Sequence, residues 1–517
     1  MGKEGPGNNS GKSDKLTSEM SSYESLIQSN SMDKTQEPFL PNEEKGETLK
    51  KNLTLINGIG LIVGTVIGSG IFVSPTSILE ETNSIGASLL IWLGCGFIAL
   101  FGSLCYAELG TFIKKSGGEY TYLMEAFGRV PAFLFAWTSV LIIRPASGAI
   151  IALTFAEYVA KPFYMDSEAP TYLLKLLACS CLVTLAIVNC WTVKWATRIQ
   201  DIFTSAKLLC IVMLTIIGFV ELGKGKTENF RDSFKGSTTD VGKIGMALHV
   251  GLWAFDGCNN LNYCTEEMKH PERDMPRSIA IGISLTTVCY LVVNVAYITV
   301  LGKMGILESS AVAVSIGKLY LGPVHWIVPI FVACSTIGAV NGILFTSGRL
   351  VYVAARDGLL PRFLAMIYVK RFTPLPSLFF TTLISVLMLI PDASSFSSLV
   401  DFSSFAAWLF YGATFAALLW LRRTQANVPR PYKVYIIVPI VMVLASIYLV
   451  VAPITTDPKG SLIALAIVLA GLPFYWLFVA SDRAPKFILN ATDKVTVWSQ
   501  RVGNMAFEDP DTLPVKV

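Results

Sequence analysis

The chain is dominated by a succession of apolar runs, each long enough to cross a bilayer and separated by short polar connections. A spanning helix needs roughly 20 mostly apolar residues, and such runs fall at 54–80, 87–112, 125–159, 172–190, 199–221, 243–268, 277–301, 322–355, 376–391, 396–421, 434–453 and 460–480. Only 15% of the 517 residues are charged and 53% are hydrophobic, with a mean hydropathy of +0.56. A soluble domain carries about 25% charged residues to keep its surface wet. A transmembrane β-barrel would show alternating segments of about 10 residues instead of continuous runs. The sequence therefore predicts an all-α membrane protein in three parts: a polar, disordered tail over 1–50, a twelve-helix domain over 51–480 and a tail over 481–517. The first 50 residues are rich in Ser, Asn, Lys and Glu and lack the apolar core of a secretory signal.

An even number of spans puts both tails on one side, and the basic residues choose it. Connections after even-numbered spans hold Lys114 and Lys115, Lys194 and Arg198, Lys269, Arg273 and Arg277, Arg356, Arg362, Lys370 and Arg371, and Arg422, Arg423, Arg430 and Lys433. The connections near Asp166, Asp392 and Asp457 are poorer in positive charge, whereas 222–242 mixes both signs. By the positive-inside tendency both tails are cytoplasmic, which leaves the Asn52 and Asn490 sequons unglycosylated. A net charge of +4 is too mild for nucleic-acid binding. The ten cysteines lie within or beside apolar runs and read as small hydrophobes.

Two spans have unusual middles. The first carries Gly64, Gly68 and Gly70 within Gly64-Thr-Val-Ile-Gly-Ser-Gly-Ile-Phe72, and the sixth reads Gly251-Leu-Trp-Ala-Phe-Asp-Gly-Cys-Asn-Asn260. Non-helical backbone at membrane depth is tolerated only inside protein or around a cavity. Interruptions five spans apart point to a five-plus-five inverted repeat with a midplane site, although such glycines also serve close helix packing. If both spans unwind, N–H groups around Ile67, Gly68, Ser69, Gly70 and Ile71 make an anion site at a half-helix N-terminus. Carbonyls near Trp253, Ala254 and Phe255, followed by Gly257 and Cys258, can accept from an ammonium. Together these ends recognise the constant part of an α-amino acid.

The few charges at membrane depth are the next signal. Asp256 is expensive there and is therefore paired or functional; it suits the cationic tip of a substrate, an internal salt bridge or a bend. Lys207 places an ammonium where a sodium-dependent carrier would hold Na⁺, or carries a proton, or snorkels; Arg144 before Pro145 has similar options. Trp253 and Phe255 serve as an aromatic gate or as core. Glu108, Glu266 and Glu267 sit near inner helix ends as gate salt bridges or solvated ends. Asn341 lines the cavity or bonds another helix. His249, His270 and His325 are scattered, and neither a catalytic pair, a phosphate loop nor a metal or cofactor motif is present.

Taken together, Ile62-Val-Gly-Thr-Val-Ile-Gly-Ser-Gly-Ile-Phe-Val-Ser-Pro75, Cys105-Tyr-Ala-Glu-Leu-Gly-Thr111, Lys114-Lys-Ser-Gly-Gly-Glu-Tyr120, Leu261-Asn-Tyr-Cys-Thr-Glu-Glu267, Pro271-Glu-Arg-Asp-Met-Pro276 and Ala311-Val-Ala-Val314 resemble the light subunits of heteromeric amino-acid transporters, the L-type family of the amino acid–polyamine–organocation superfamily. Leu252-Trp-Ala-Phe-Asp-Gly257, Ser335-Thr-Ile-Gly-Ala339 and Phe405-Ala-Ala-Trp-Leu-Phe-Tyr-Gly412 look most like the subtype exchanging cystine and dibasic for neutral amino acids. The resemblance implies a LeuT-like fold with broken first and sixth helices, sodium-independent exchange at the plasma membrane, and backbone recognition at Gly68, Ser69 and Gly70. It also implies Asp256 as the carboxylate for cationic substrates and Trp253 as the gate. Two positions depart from it. Ser167 stands where the family has the cysteine that bonds a glycoprotein heavy chain, which argues against a covalent partner, and Cys258 replaces a usual tryptophan.

The ending Val515-Lys516-Val517 fits capture by a PDZ-type groove. Beside an amino-acid exchanger, the chain is also compatible with a non-transporting amino-acid sensor and with a proton-coupled uniporter or symporter.

Overall fold

A computed structural model describes Gly2, Ser167 and residues 53–113, 118–164, 169–191, 193–309, 311–368, 373–390, 396–480, 494–501 and 505–507. Residues 3–50, Asn52, Lys114, Lys115, Asp166, Lys370, Arg371, Asp392, Asn490 and the terminal Val515-Lys516-Val517 lie outside the described residues, as do the side chains of Lys194, Arg198, Cys264, Glu266 and Glu267.

The first span is two helices, α1 (Leu55–Val66) and α2 (Gly70–Thr82), bent by 52° at their junction. The second, α3 (Ile85–Phe112), starts under a cap in which Ser84 accepts from the Ala87 N–H. The third span starts at Arg129, later than its hydrophobicity predicts. A separate helix α4 (Glu119–Phe127) ends at Gly128, whose φ of +85° only glycine adopts without strain. The span proper runs through α5 (Arg129–Thr138), a π-helical turn (Ser139–Ile143) and α6 (Arg144–Ala160). Pro145 accounts for the wide turn, because a proline inside an α-helix lacks its N–H and collides with the carbonyl four residues back.

The chain continues through α7 (Thr171–Trp191), α8 (Val193–Gly223), α9 (Val241–Ala254) and α10 (Pro271–Leu307). A short α11 (Val312–Tyr320), which the hydrophobic pattern did not reveal, lies between the seventh and eighth spans. The remainder is α12 (Ile327–Arg356), α13 (Leu375–Leu389), α14 (Phe396–Thr424), α15 (Ile437–Thr456) and α16 (Pro458–Phe474). Among the described residues nine stretches are long and apolar enough to cross a membrane. The bent first pair makes a tenth, and the shorter apolar helices α9 and α13 bring the spans to twelve. A two-stranded sheet pairs β1 (Met366–Tyr368) with β2 (Met505–Phe507) antiparallel.

The bundle is apolar outside as well as inside. On α15, Ile440, Leu444, Ile447 and Val451 form an exposed stripe at helical spacing, while Met442, Ser446 and Leu449 face inward. Lipid is as apolar as these side chains, so their exposure carries no penalty. The interior holds buried rings, among them Trp92, Tyr122, Tyr158, Tyr290 and Tyr297, which surround the two broken spans.

Candidate functional site

The site is built where the breaks of the first and sixth spans touch. α1 stops at Val66, with the Ile67 N–H donating a last bond to the Val63 carbonyl at 3.0 Å, and Gly68 and Ser69 carry the chain across to α2. α9 stops at Ala254. Phe255 to Asn259 form a turn with Gly257 at φ +93°, and a 3₁₀ segment (Asn260–Glu267) follows. A Cβ on Gly70 would fall 2.6 Å from the Ala254 Cβ and 2.7 Å from its Cα, so glycine is what lets the breaks meet.

Three buried side chains hold this junction. The Tyr290 hydroxyl, from α10, lies 2.7 Å from the Val66 carbonyl and 2.9 Å from that of Ala254, the last carbonyls of both half-helices. Its ring packs edge-on to Trp92 and Phe255, centroids 5.3 and 5.0 Å away. The Tyr158 hydroxyl donates to the Phe72 carbonyl at 2.8 Å. The Lys207 ammonium, from α8, donates to the Gly64 carbonyl and is 4% exposed. Tyr290 and Lys207 thereby satisfy the Val66, Ala254 and Gly64 carbonyls, which lie in last turns where a broken helix leaves carbonyls without intrahelical partners.

Two adjoining chambers lie at the junction. The first is lined by the backbone break at Gly68, Ser69 and Gly70 together with Arg144, Lys207 and Ala254. The second is lined by Ser103, Tyr106, Cys258, Trp408 and Tyr411. Ser147, Trp253 and Asp256 line both. Asp256 is exposed within them, with the Tyr411 hydroxyl 3.4 Å from its Oδ1. The arrangement offers the first-turn N–H groups of α2 to an anion and the Asp256 carboxylate to a cation.

The structure thus brings Gly68, Ser69, Gly70, Arg144, Lys207, Trp253, Ala254, Asp256, Gly257 and Cys258 around the two chambers. Ile67 and Ile71 bury their side chains in the core, leaving only backbone for a ligand. Phe255 lines the second chamber but is 1% exposed and packed on Trp92, a core role more than a gate. Asn341 is absent from both linings; its Oδ1 accepts from Asn189 Nδ2 at 2.7 Å, joining α12 to α7. Glu108 is fully buried with Arg422 and Arg430. Arg422 Nε donates to it at 2.9 Å, Arg430 approaches to 3.5 Å and the Val434 N–H donates at 2.8 Å. Sequence reasoning missed Tyr290, Tyr158, Tyr411 and Ser147, whose only signal is a hydroxyl at mid-span.

A polytopic bundle in which two broken helices meet at a two-chambered cavity has the architecture of a membrane carrier. Comparison with known proteins narrows the class. Residues 53–478 match the amino acid permease family. The chain is 49% identical over 438 residues to human b(0,+)-type amino acid transporter 1, covering 84% of this chain and 90% of that one. It is 44% identical over 466 residues to human large neutral amino acids transporter small subunit 2 (88% and 86% covered). With the human cystine/glutamate transporter the identity is 40% over 456 residues (88% and 90% covered). The chain belongs to the amino acid permease family, in agreement with the light-subunit resemblance drawn from its motifs.

Proposed function

We propose that this chain exchanges neutral and cationic L-amino acids across the plasma membrane by sodium-independent alternating access, with both tails cytoplasmic. The observation that carries the reading is the exposed Asp256 carboxylate beside two touching helix breaks. The α-carboxylate docks on the N–H groups at Ser69, Gly70 and Ile71. The α-ammonium reaches the carbonyls around Trp253, Ala254 and Phe255, and the side chain passes Asp256 into the second chamber. Lys207, with its ammonium on the Gly64 carbonyl, supplies a fixed cation in place of Na⁺. Trp253 closes over the ligand as the bundle rocks.

Cys258 leaves the second chamber roomy, and Asp256 at its mouth suits a long cationic side chain. The exposed Ser167 offers no thiol, so any heavy-chain partner associates without a disulfide there. The terminal Val515-Lys516-Val517 serves as a PDZ ligand.

Proteoliposomes holding the purified chain test this. Uptake of labelled arginine or leucine rises with unlabelled amino acid inside and is unchanged when choline replaces Na⁺. Uptake that needs a sodium gradient and ignores internal substrate overturns the proposal, and uptake driven by external acid without internal substrate makes Lys207 a proton carrier instead. Asp256→Asn lowers arginine uptake more than leucine uptake; equal losses make Asp256 structural.

A further inference from the structure

We propose that a groove between α14 and α15 binds the headgroup of an anionic phospholipid. The groove, of about 970 Å³, lies between the last turns of α14 and the first of α15, with Leu419, Ile436, Ile440 and Val443 among its walls and Arg423 and Lys433 beside them.

The nearby charges divide into two sets. Arg422 and Arg430 are buried and spent on Glu108. Arg423 and Lys433 are exposed, and among the described residues neither has an acidic partner. The neighbouring carboxylates are Glu108 and Glu125, the latter approached by Gln425 Nε2 at 3.4 Å. Among the described residues, four cations against two carboxylates leave a local surplus of two positive charges.

Depth is marked independently. Trp420 and Tyr435, both in the lining, are 49% and 84% exposed, and amphipathic rings of this kind settle at headgroup level. From Ile440 the exposed stripe Leu444, Ile447 and Val451 runs on along α15, a surface for an acyl chain. An occupant must therefore be anionic at one end and apolar along the other, a combination that a soluble phosphate lacks. Each exposed Lys or Arg near the surface contributes roughly a fivefold preference for an anionic lipid, and two give on the order of thirtyfold.

The test uses the full chain in phosphatidylcholine vesicles containing a minor fraction of photoactivatable phosphatidylserine, with adducts mapped by peptide mass spectrometry. Adducts concentrate in 416–443, fall at least tenfold in the double variant Arg423→Gln/Lys433→Gln, and persist in the charge-keeping Arg423→Lys/Lys433→Arg. Thermal melting of all three proteins confirms equal folding. Equal labelling by a photoactivatable phosphatidylcholine, or unchanged labelling of the double Gln variant, overturns the proposal. Complete displacement by soluble glycerophosphoserine also overturns it, by making the groove a phosphate site indifferent to acyl chains.

Discussion

Gly70→Ala is the sharpest probe of the site, because its effect is set by the closeness of the two breaks. The added methyl would lie 2.6 Å from the Ala254 Cβ and 2.7 Å from the Ala254 Cα, whereas carbon atoms rest about 3.5–4.0 Å apart. The two breaks must separate by about 1 Å, at a cost of roughly 1–3 kcal/mol for overpacking. The same shift would stretch the Tyr290 bonds, now 2.7 and 2.9 Å, past useful hydrogen-bonding range. A displacement of about 1 Å at a reacting or binding centre can lower a rate by around 100-fold. Exchange in proteoliposomes should fall by that order for arginine and leucine alike, although the variant still reaches the membrane. Gly68→Ala is the control: its Cβ meets nothing nearer than 3.8 Å, so the fold is unstrained and any loss appears in KM alone. Wild-type exchange by Gly70→Ala, or equal damage to thermal stability from both substitutions, would refute the argument.

Tyr290→Phe keeps the ring packing but strands two buried carbonyls, at about 1–3 kcal/mol; kcat/KM should fall by the same factor for arginine and leucine, unlike the selective loss in Asp256→Asn. Glu108→Gln leaves two buried guanidiniums without their carboxylate, and a loss of about 3–5 kcal/mol should appear as a clearly lower melting temperature in detergent; an unchanged melt would mean the cluster is solvated. Cys258→Trp fills the second chamber, so uptake of arginine should drop well below that of alanine in the same vesicles.

The twelve spans were legible because apolar length is a local property, and the two breaks because glycine and aspartate are conspicuous in an apolar run. For the same reason Asp256, Lys207 and Arg144 stood out and now line the cavity. What escaped depends on chain-distant partners. Glu108 reads as a neighbour of Lys114 in sequence, yet in the fold its partners Arg422 and Arg430 are 314 and 322 positions away. Tyr290 resembles any interfacial tyrosine until Val66 and Ala254 arrive at its hydroxyl. The third span begins at Arg129 and not at Glu125 because Gly128, with its positive φ, ends α4 there, a break that the apolar pattern does not mark.

The two chambers share only Ser147, Trp253 and Asp256. Head and tail of a ligand are therefore handled by nearly separate sets of residues, and a compound with an amino-acid head on a tail bulkier than any substrate could fill both chambers while propping Trp253 open. Such a molecule would compete for entry without being carried. Its potency would follow substitutions such as Cys258→Trp, while its dependence on Gly70 would match that of every transported amino acid.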